Sequence, residues 1–199
     1  GRFRLRDFDE PVELTIARYP EAPPALAPPR AVPAMGHNMA EPVTRMVGRE
    51  GDLARLEAVV APGHVATVAG PGGAGKTRLV THYGIQVASE WPDGVWFVDL
   101  AGVPTGTGVA TPVAETLGLS IGSQAPLDAV ADRLDGKRAL LILDNCEHLT
   151  DEAARFTDHV LGAATGPAFI ATSREPLRIG REQIVRLDPL PVGDGAIEL

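Results

Sequence analysis

The sequence predicts an α/β protein: a parallel sheet in three layers with helices, preceded by a β remnant and a proline-rich linker. Three observations carry this. From about residue 43, short apolar runs alternate with helical patterns. One run leads directly into a glycine-rich stretch that opens a helix, and another ends in a carboxylate. At 199 residues with 44% hydrophobic and 22% charged side chains, the chain can bury a sizeable core, and general disorder is excluded.

Residues 1–19 read as β structure. Phe3 and Leu5 alternate with Arg4 and Arg6; Val12, Leu14 and Ile16 alternate with Glu13, Thr15 and Ala17. Turn-forming residues lie between the two runs, from Asp7 to Pro11. A lone hairpin is marginal in water, so this piece is expected to belong to a larger sheet. Residues 20–42 read as a linker. Pro20, Pro23, Pro24, Pro28, Pro29 and Pro33 favour extended polyproline II and argue against helices and sheet ladders. His37 lies in this stretch with no second ligand nearby, which argues against a metal role.

Residues 43–199 form the predicted α/β domain. Its strands fall at 65–69, 95–100, 139–143 and 168–172. Helical patterns fall at 76–89, 109–117, 127–134 and 151–161. The apolar runs are nearly continuous, as expected of strands buried on both faces.

Composition narrows the function. A net charge of −8 argues against a surface built to hold nucleic acid, although a basic module elsewhere in a longer protein stays possible. One cysteine, Cys146, excludes an internal disulfide framework and fits a reducing, cytoplasmic compartment. No apolar run approaches the roughly 18 residues of a membrane span, so no membrane partner is expected. The start, Gly1-Arg2-Phe3-Arg4, carries neither an initiator Met nor a secretory signal; both ends look like those of a piece of a longer protein.

Gly70-Pro71-Gly72-Gly73-Ala74-Gly75-Lys76-Thr77 fits G-x-x-x-x-G-K-[ST] between a strand and a helix, which predicts a P-loop NTPase. The glycines let successive N–H groups face one anion, and the helix N-terminus adds partial positive charge. Lys76 is placed to reach the β- and γ-phosphates, and the Thr77 hydroxyl to ligate Mg²⁺. The run 139–143 ends in Asp144, the expected second ligand of Mg²⁺. Glu147 is the next carboxylate; it reads equally as a water-orienting group or as a first-turn acid facing a helix dipole. Cys146 reads as a packing residue and His148 as a surface or capping residue. Arg174 follows an apolar strand. On spacing alone it is a surface residue paired with Glu175; the other reading is a contact to a γ-phosphate.

These residues together resemble the signal-transduction NTPases of the STAND type (NB-ARC-like), and more closely the nucleotide-binding core of bacterial regulators of the AfsR and LuxR kinds. Four stretches carry the likeness: Val47-Gly48-Arg49-Glu50 before a helix; residues 70–77; Leu143-Asp144-Asn145-Cys146-Glu147-His148-Leu149; and Ala171-Thr172-Ser173-Arg174-Glu175-Pro176-Leu177. Val95-Trp96-Phe97-Val98-Asp99-Leu100 fits the pattern between the two phosphate-site motifs. The likeness covers about residues 43–192. It implies that the strand before Arg174 lies between those of Gly70 and Asp144, which makes Arg174 a γ-phosphate sensor. It implies Val47 and Arg49 on the adenine side, with Gly70, Gly72, Gly73, Ala74, Gly75, Lys76 and Thr77 on the phosphates. ATP/ADP and Mg²⁺ are the implied cofactors. Self-association or contacts with further domains are the implied partnerships, with DNA bound only through segments outside these residues.

The chain departs from the wider class at Asn145, where many relatives carry a second acid; Asn cannot act as a base. Arg4-Leu5-Arg6-Asp7-Phe8 with Glu10-Pro11-Val12-Glu13-Leu14 resembles the last strands of a class III adenylyl/guanylyl cyclase domain. The carboxylates of such a domain would lie upstream, so no cyclase activity is expected of this chain. Two functions follow as expectations: an ATP-binding switch with slow hydrolysis, or a turning-over ATPase using Glu147. The absence of an Asn-Lys-x-Asp motif argues against a GTPase, and the intact Gly75-Lys76-Thr77 against a scaffold with a dead loop.

Overall fold

A computed structural model describes residues 36–40, 46–119 and 125–189, together with three short strands. Those strands are β1 (Arg2–Arg4), β2 (Val12–Glu13) and β3 (Val32–Pro33), paired antiparallel in the order β2-β1-β3. Phe3 lies opposite Val12 on one side and Pro33 on the other. The first pairing is the expected hairpin. The second corrects the expectation that proline density bars a ladder: β3 has two residues and lies at the sheet's edge, where a residue without an N–H is tolerated. The positions of Leu14 and Ile16 lie outside the described residues.

The main sheet has five strands: β4 (Val65–Ala69), β5 (Val95–Asp99), β6 (Leu140–Asp144), β7 (Ala168–Ser173) and β8 (Glu182–Arg186). All neighbours are parallel, in the order β5-β6-β7-β4-β8. The strand before Arg174 thus runs between the strands of Gly70 and Asp144, as the resemblance implies. Helices α1 (Glu50–Val59), α2 (Lys76–Gln86), α3 (Ala110–Thr116), α4 (Pro126–Leu134) and α5 (Thr150–Ala163) complete the layers.

β4, β6 and β7 are buried along their full length, which explains their unbroken apolar runs. Their side chains alternate between two cores. Leu141, Leu143, Phe169 and Ala171 face a cluster with Val130, Phe156 and Val160 from α4 and α5. Leu140, Ile142 and Ile170 face a second cluster with Leu56, Leu79 and Tyr83 from α1 and α2. Phe156 meets Phe169 edge to face, ring centres 5.9 Å apart. Asp151 and Glu152 in the first turn of α5 complement its dipole. Pro126 suits the first turn of α4, where its missing N–H costs nothing.

Among the described residues, 36–38 join the linker to this sheet. The Gly36 carbonyl accepts from Val95 N–H (2.7 Å), and His37 bridges Val95 in parallel. The Asn38 side chain then imitates a strand residue: Nδ2 donates to Phe97 O (2.9 Å), and Oδ1 accepts from Phe97 N–H (2.6 Å). Residues 36–38 therefore cover the outer edge of β5.

Candidate functional site

The glycine-rich loop joins the C-terminal end of β4 to α2. Two of its glycines are required by the backbone. Gly75 adopts φ 89° immediately before α2, a conformation that costs other residues strain. A Cβ on Gly70 would lie 2.3 Å from Leu187 O, where the chain leaving β8 passes the loop. At Gly72 a Cβ would meet nothing within 4 Å, so the loop is open on its outer side.

Lys76 Nζ donates to the carbonyls of Gly70 (2.9 Å) and Pro71 (3.0 Å). Two of its three N–H bonds thus brace the loop, and one is left for an anion. Thr77 Oγ1 lies 3.0 and 2.9 Å from the two carboxylate oxygens of Asp144. The structure thus brings together the two oxygen ligands expected from sequence. A hydroxyl and a carboxylate suit a hard cation that keeps phosphate and water as its other ligands, so this donor set fits Mg²⁺. Among the described residues, no group of three or more His, Cys, Asp or Glu could hold a metal ion.

Asp144 is 1% exposed. Burial, the largest influence, raises its carboxyl above the ordinary value; hydrogen bonds from Thr172 and Thr77 oppose this, and the charge of Asp99 adds to it. Sequence reasoning does not single out Thr172. Its hydroxyl donates to Asp144 Oδ1 (2.6 Å) and accepts from Asn145 N–H (3.0 Å). The available signal is positional: Thr172 is a polar residue at the end of a central strand, paired in register with Val68 just before the glycine loop. Asp99 likewise carries no local signal of a site residue in the sequence. It pairs in register with Asp144 on the neighbouring strand.

Glu147 and Arg174 form a separate, outer pair. Arg174 Nε lies 3.3 Å from Glu147 Oε1, with side chains 67% and 28% exposed. This corrects the spacing-based pairing of Arg174 with Glu175, because Glu175 binds Arg178 instead (3.1 Å). The physical reason is topological. The turn after β6 carries Glu147 beside the end of β7, nearer than a sequence neighbour whose side chain points elsewhere. A hollow of about 910 Å³ opens beside this pair, lined among others by Asp151, Arg155 and Leu177. None of its lining residues comes from the glycine loop.

Another hollow, about 550 Å³, does adjoin the loop. Met46, Val47, Arg49, Gly73, Ala74 and Arg78 are among its lining residues. Val47 is 72% exposed, and Arg49 is buried. Arg49 Nη2 donates to Ala74 O (2.6 Å), and Nη1 donates to Asp188 O (2.9 Å) and Asp52 Oδ2 (2.7 Å). Arg49 thereby clamps the loop to the exit of β8. Cys146 is fully buried, and desolvation pushes its thiol up to about 12, which agrees with a packing role. His148 remains at the surface, with Nε2 3.0 Å from Val103 O.

The AAA domain family matches residues 62–170. A protein of Mycobacterium tuberculosis named as an HTH-type transcriptional regulator is 37% identical over 145 residues, covering 72% of this chain and 16% of its own length. The regulatory protein AfsR of Streptomyces griseus is 36% identical over 123 residues, covering 55% of this chain and 12% of its own. The chain therefore spans about a sixth or less of these regulators. Among solved structures, Cdc6p from Pyrobaculum aerophilum shares the fold, with TM-score 0.53 and 17% identity over 72% of this chain and 46% of that one.

Proposed function

The chain belongs to the AAA domain family, and on that premise we propose that it is the ATP-binding switch of a bacterial signalling or transcriptional regulator. The observation that carries this reading is the convergence of Thr77 and Asp144 at the mouth of the glycine loop, with Lys76 braced beside them. In this reading the N–H groups of Gly72, Gly73, Ala74 and Gly75 hold the phosphates and Lys76 supplies charge. Thr77 and Asp144 hold Mg²⁺, which when bound neutralises charge on the β- and γ-phosphates. Val47 lines the base side of the site, and Arg49 fixes its shape from behind.

Arg174 has two competing partners: Glu147 and a γ-phosphate. Leaving one for the other converts nucleotide state into a change at the β7–β8 connection. Likeness to AfsR and to the HTH-type regulator supports a signal-transduction role of the STAND, NB-ARC-like kind, in a cytoplasmic protein. DNA contact then belongs to other parts of a longer protein, self-association or contacts with further domains to the full-length protein, and residues 1–19 to the end of a cyclase-like domain. Among the described residues, no helix is long and apolar enough to cross a membrane.

The second reading is a turning-over ATPase in which Glu147 orients water. Its partial exposure beside the sheet's C-terminal end favours it; its engagement with Arg174 counts against it. Incubating the chain with labelled ATP and Mg²⁺, while following bound ATP and released ADP, separates the two. Tight retention with little ADP supports the switch. Steady turnover that is lost in Glu147→Gln supports the ATPase, and absence of binding overturns both.

A further inference from the structure

We propose that Asp99 is a positioning residue for the metal-binding carboxylate, acting through Asn145. The inference rests on the switch reading for the presence of Mg²⁺ and nucleotide. It begins with strand register. β5 and β6 end together, with Asp99 directly opposite Asp144. Two carboxylates at neighbouring positions repel unless something lies between them, and Asn145 fills that place.

Asn145 has φ 62°, a left-handed conformation that Asn tolerates better than most residues. Its backbone N–H is fixed by Thr172. Its side-chain Nδ2 lies 3.2 Å from Asp99 Oδ1 and 3.1 Å from Asp144 Oδ2. Both neighbours are carboxylates, which only accept, so the amide must present its nitrogen to them. The two N–H bonds are thereby spent, one on each acid. Asp99 is held in turn by Ala101 N–H at 2.9 Å. A chain of bonds therefore runs from the loop after β5, through Asp99 and Asn145, to the carboxylate beside Thr77.

This arrangement gives Asn145 a task that a second acid could not perform. An acid there would offer no N–H to either carboxylate and would add negative charge to the group. With its N–H bonds occupied, Asn145 can offer a water molecule only its carbonyl oxygen, which accepts a hydrogen bond but takes no proton near neutral pH. The bridge thus aligns Asp144 for the metal while withholding a base, which suits a nucleotide that is kept rather than consumed.

The test is the Mg²⁺ concentration needed for half-maximal ATP retention, measured with Mg²⁺ and ATP alone on the 199-residue chain. Loss of a partner that orients a metal ligand typically weakens metal binding about 10–100-fold. Asp99→Ala should raise the Mg²⁺ midpoint at least about tenfold, with ATP binding in EDTA unchanged. Asp99→Asn keeps an oxygen to accept from Asn145 and should stay within about threefold of the natural chain. An unmoved midpoint in Asp99→Ala overturns the proposal, as does an Asp99→Asn midpoint no better than that of Asp99→Ala. Failure of the unsubstituted chain to bind ATP would instead defeat the switch reading, and the proposal with it.

Discussion

Asp144 and Glu147 are three residues apart, yet they occupy opposite kinds of environment. Asp144 lies on the floor of the site, 1% exposed, with hydrogen bonds from Thr77, Thr172 and Asn145. Glu147 lies on the rim, with one ion pair to a largely exposed Arg174. The floor is over-determined: moving Asp144 breaks several bonds at once. The rim is held by a pair of the exposed kind, worth about 0–1 kcal/mol. A rigid floor keeps the nucleotide site in shape whatever is bound, and a weak rim lets a bound phosphate compete for Arg174. The division suits a binding site coupled to a switch.

The largest expected effects test the floor. Lys76→Ala removes the ammonium that braces Gly70 and Pro71 and, in the switch reading, contacts phosphate. One N–H is left for phosphate and a charged hydrogen bond contributes about 1.5–3 kcal/mol, so ATP affinity should fall about 10–100-fold. Calorimetry giving unchanged affinity would remove the loop from the binding site. The dryness of the floor can be read chemically at Cys146. With its thiol pushed up to about 12, alkylation near pH 8 should be about 1,000-fold or more slower in the folded chain than in denaturant. Labelling at comparable rates would mean that water reaches the residues behind Asp144.

A third change strains the floor from behind. Gly70→Ala drives a methyl group toward Leu187 O and should lower stability by about 1–3 kcal/mol in a denaturant melt. A neutral result would show that the exit of β8 moves freely relative to the loop. The smallest effect belongs to the rim. Glu147→Gln should change stability by less than about 1 kcal/mol, because its pair is exposed. It should nevertheless raise the ATP-over-ADP preference a few-fold, by releasing Arg174. An unchanged preference would break the link between rim and nucleotide.

The glycine loop, Lys76, Thr77 and Asp144 were legible because their signals are local: a spacing, a preceding apolar run, a strand that ends in an acid. Thr172 and Asp99 were not legible as partners of Asp144, since neither is near it in sequence. They meet it only because β5, β6 and β7 lie side by side with matched ends. The family resemblance supplied the central position of β7; composition and periodicity did not. β8 escaped sequence reading for another reason. Only Val185 of its five residues is buried, and Ile184 is exposed, so an edge strand shows no apolar run. Sequence distance favours Glu175 as the partner of Arg174, whereas spatial distance favours Glu147.

The short pairing of residues 36–38 with β5 bears on how this protein avoids self-adhesion. An uncovered edge strand offers its free N–H and C=O groups to any extended peptide, including another copy of itself. Here the Gly36 carbonyl and the Asn38 amide occupy those groups at Val95 and Phe97. Proline-rich sequence immediately before them is poorly suited to extend the ladder further. A chain shortened to begin at residue 43 should therefore gain concentration-dependent association, seen by light scattering, while its nucleotide loop stays intact. The last residues of the linker act as a guard rail for the sheet.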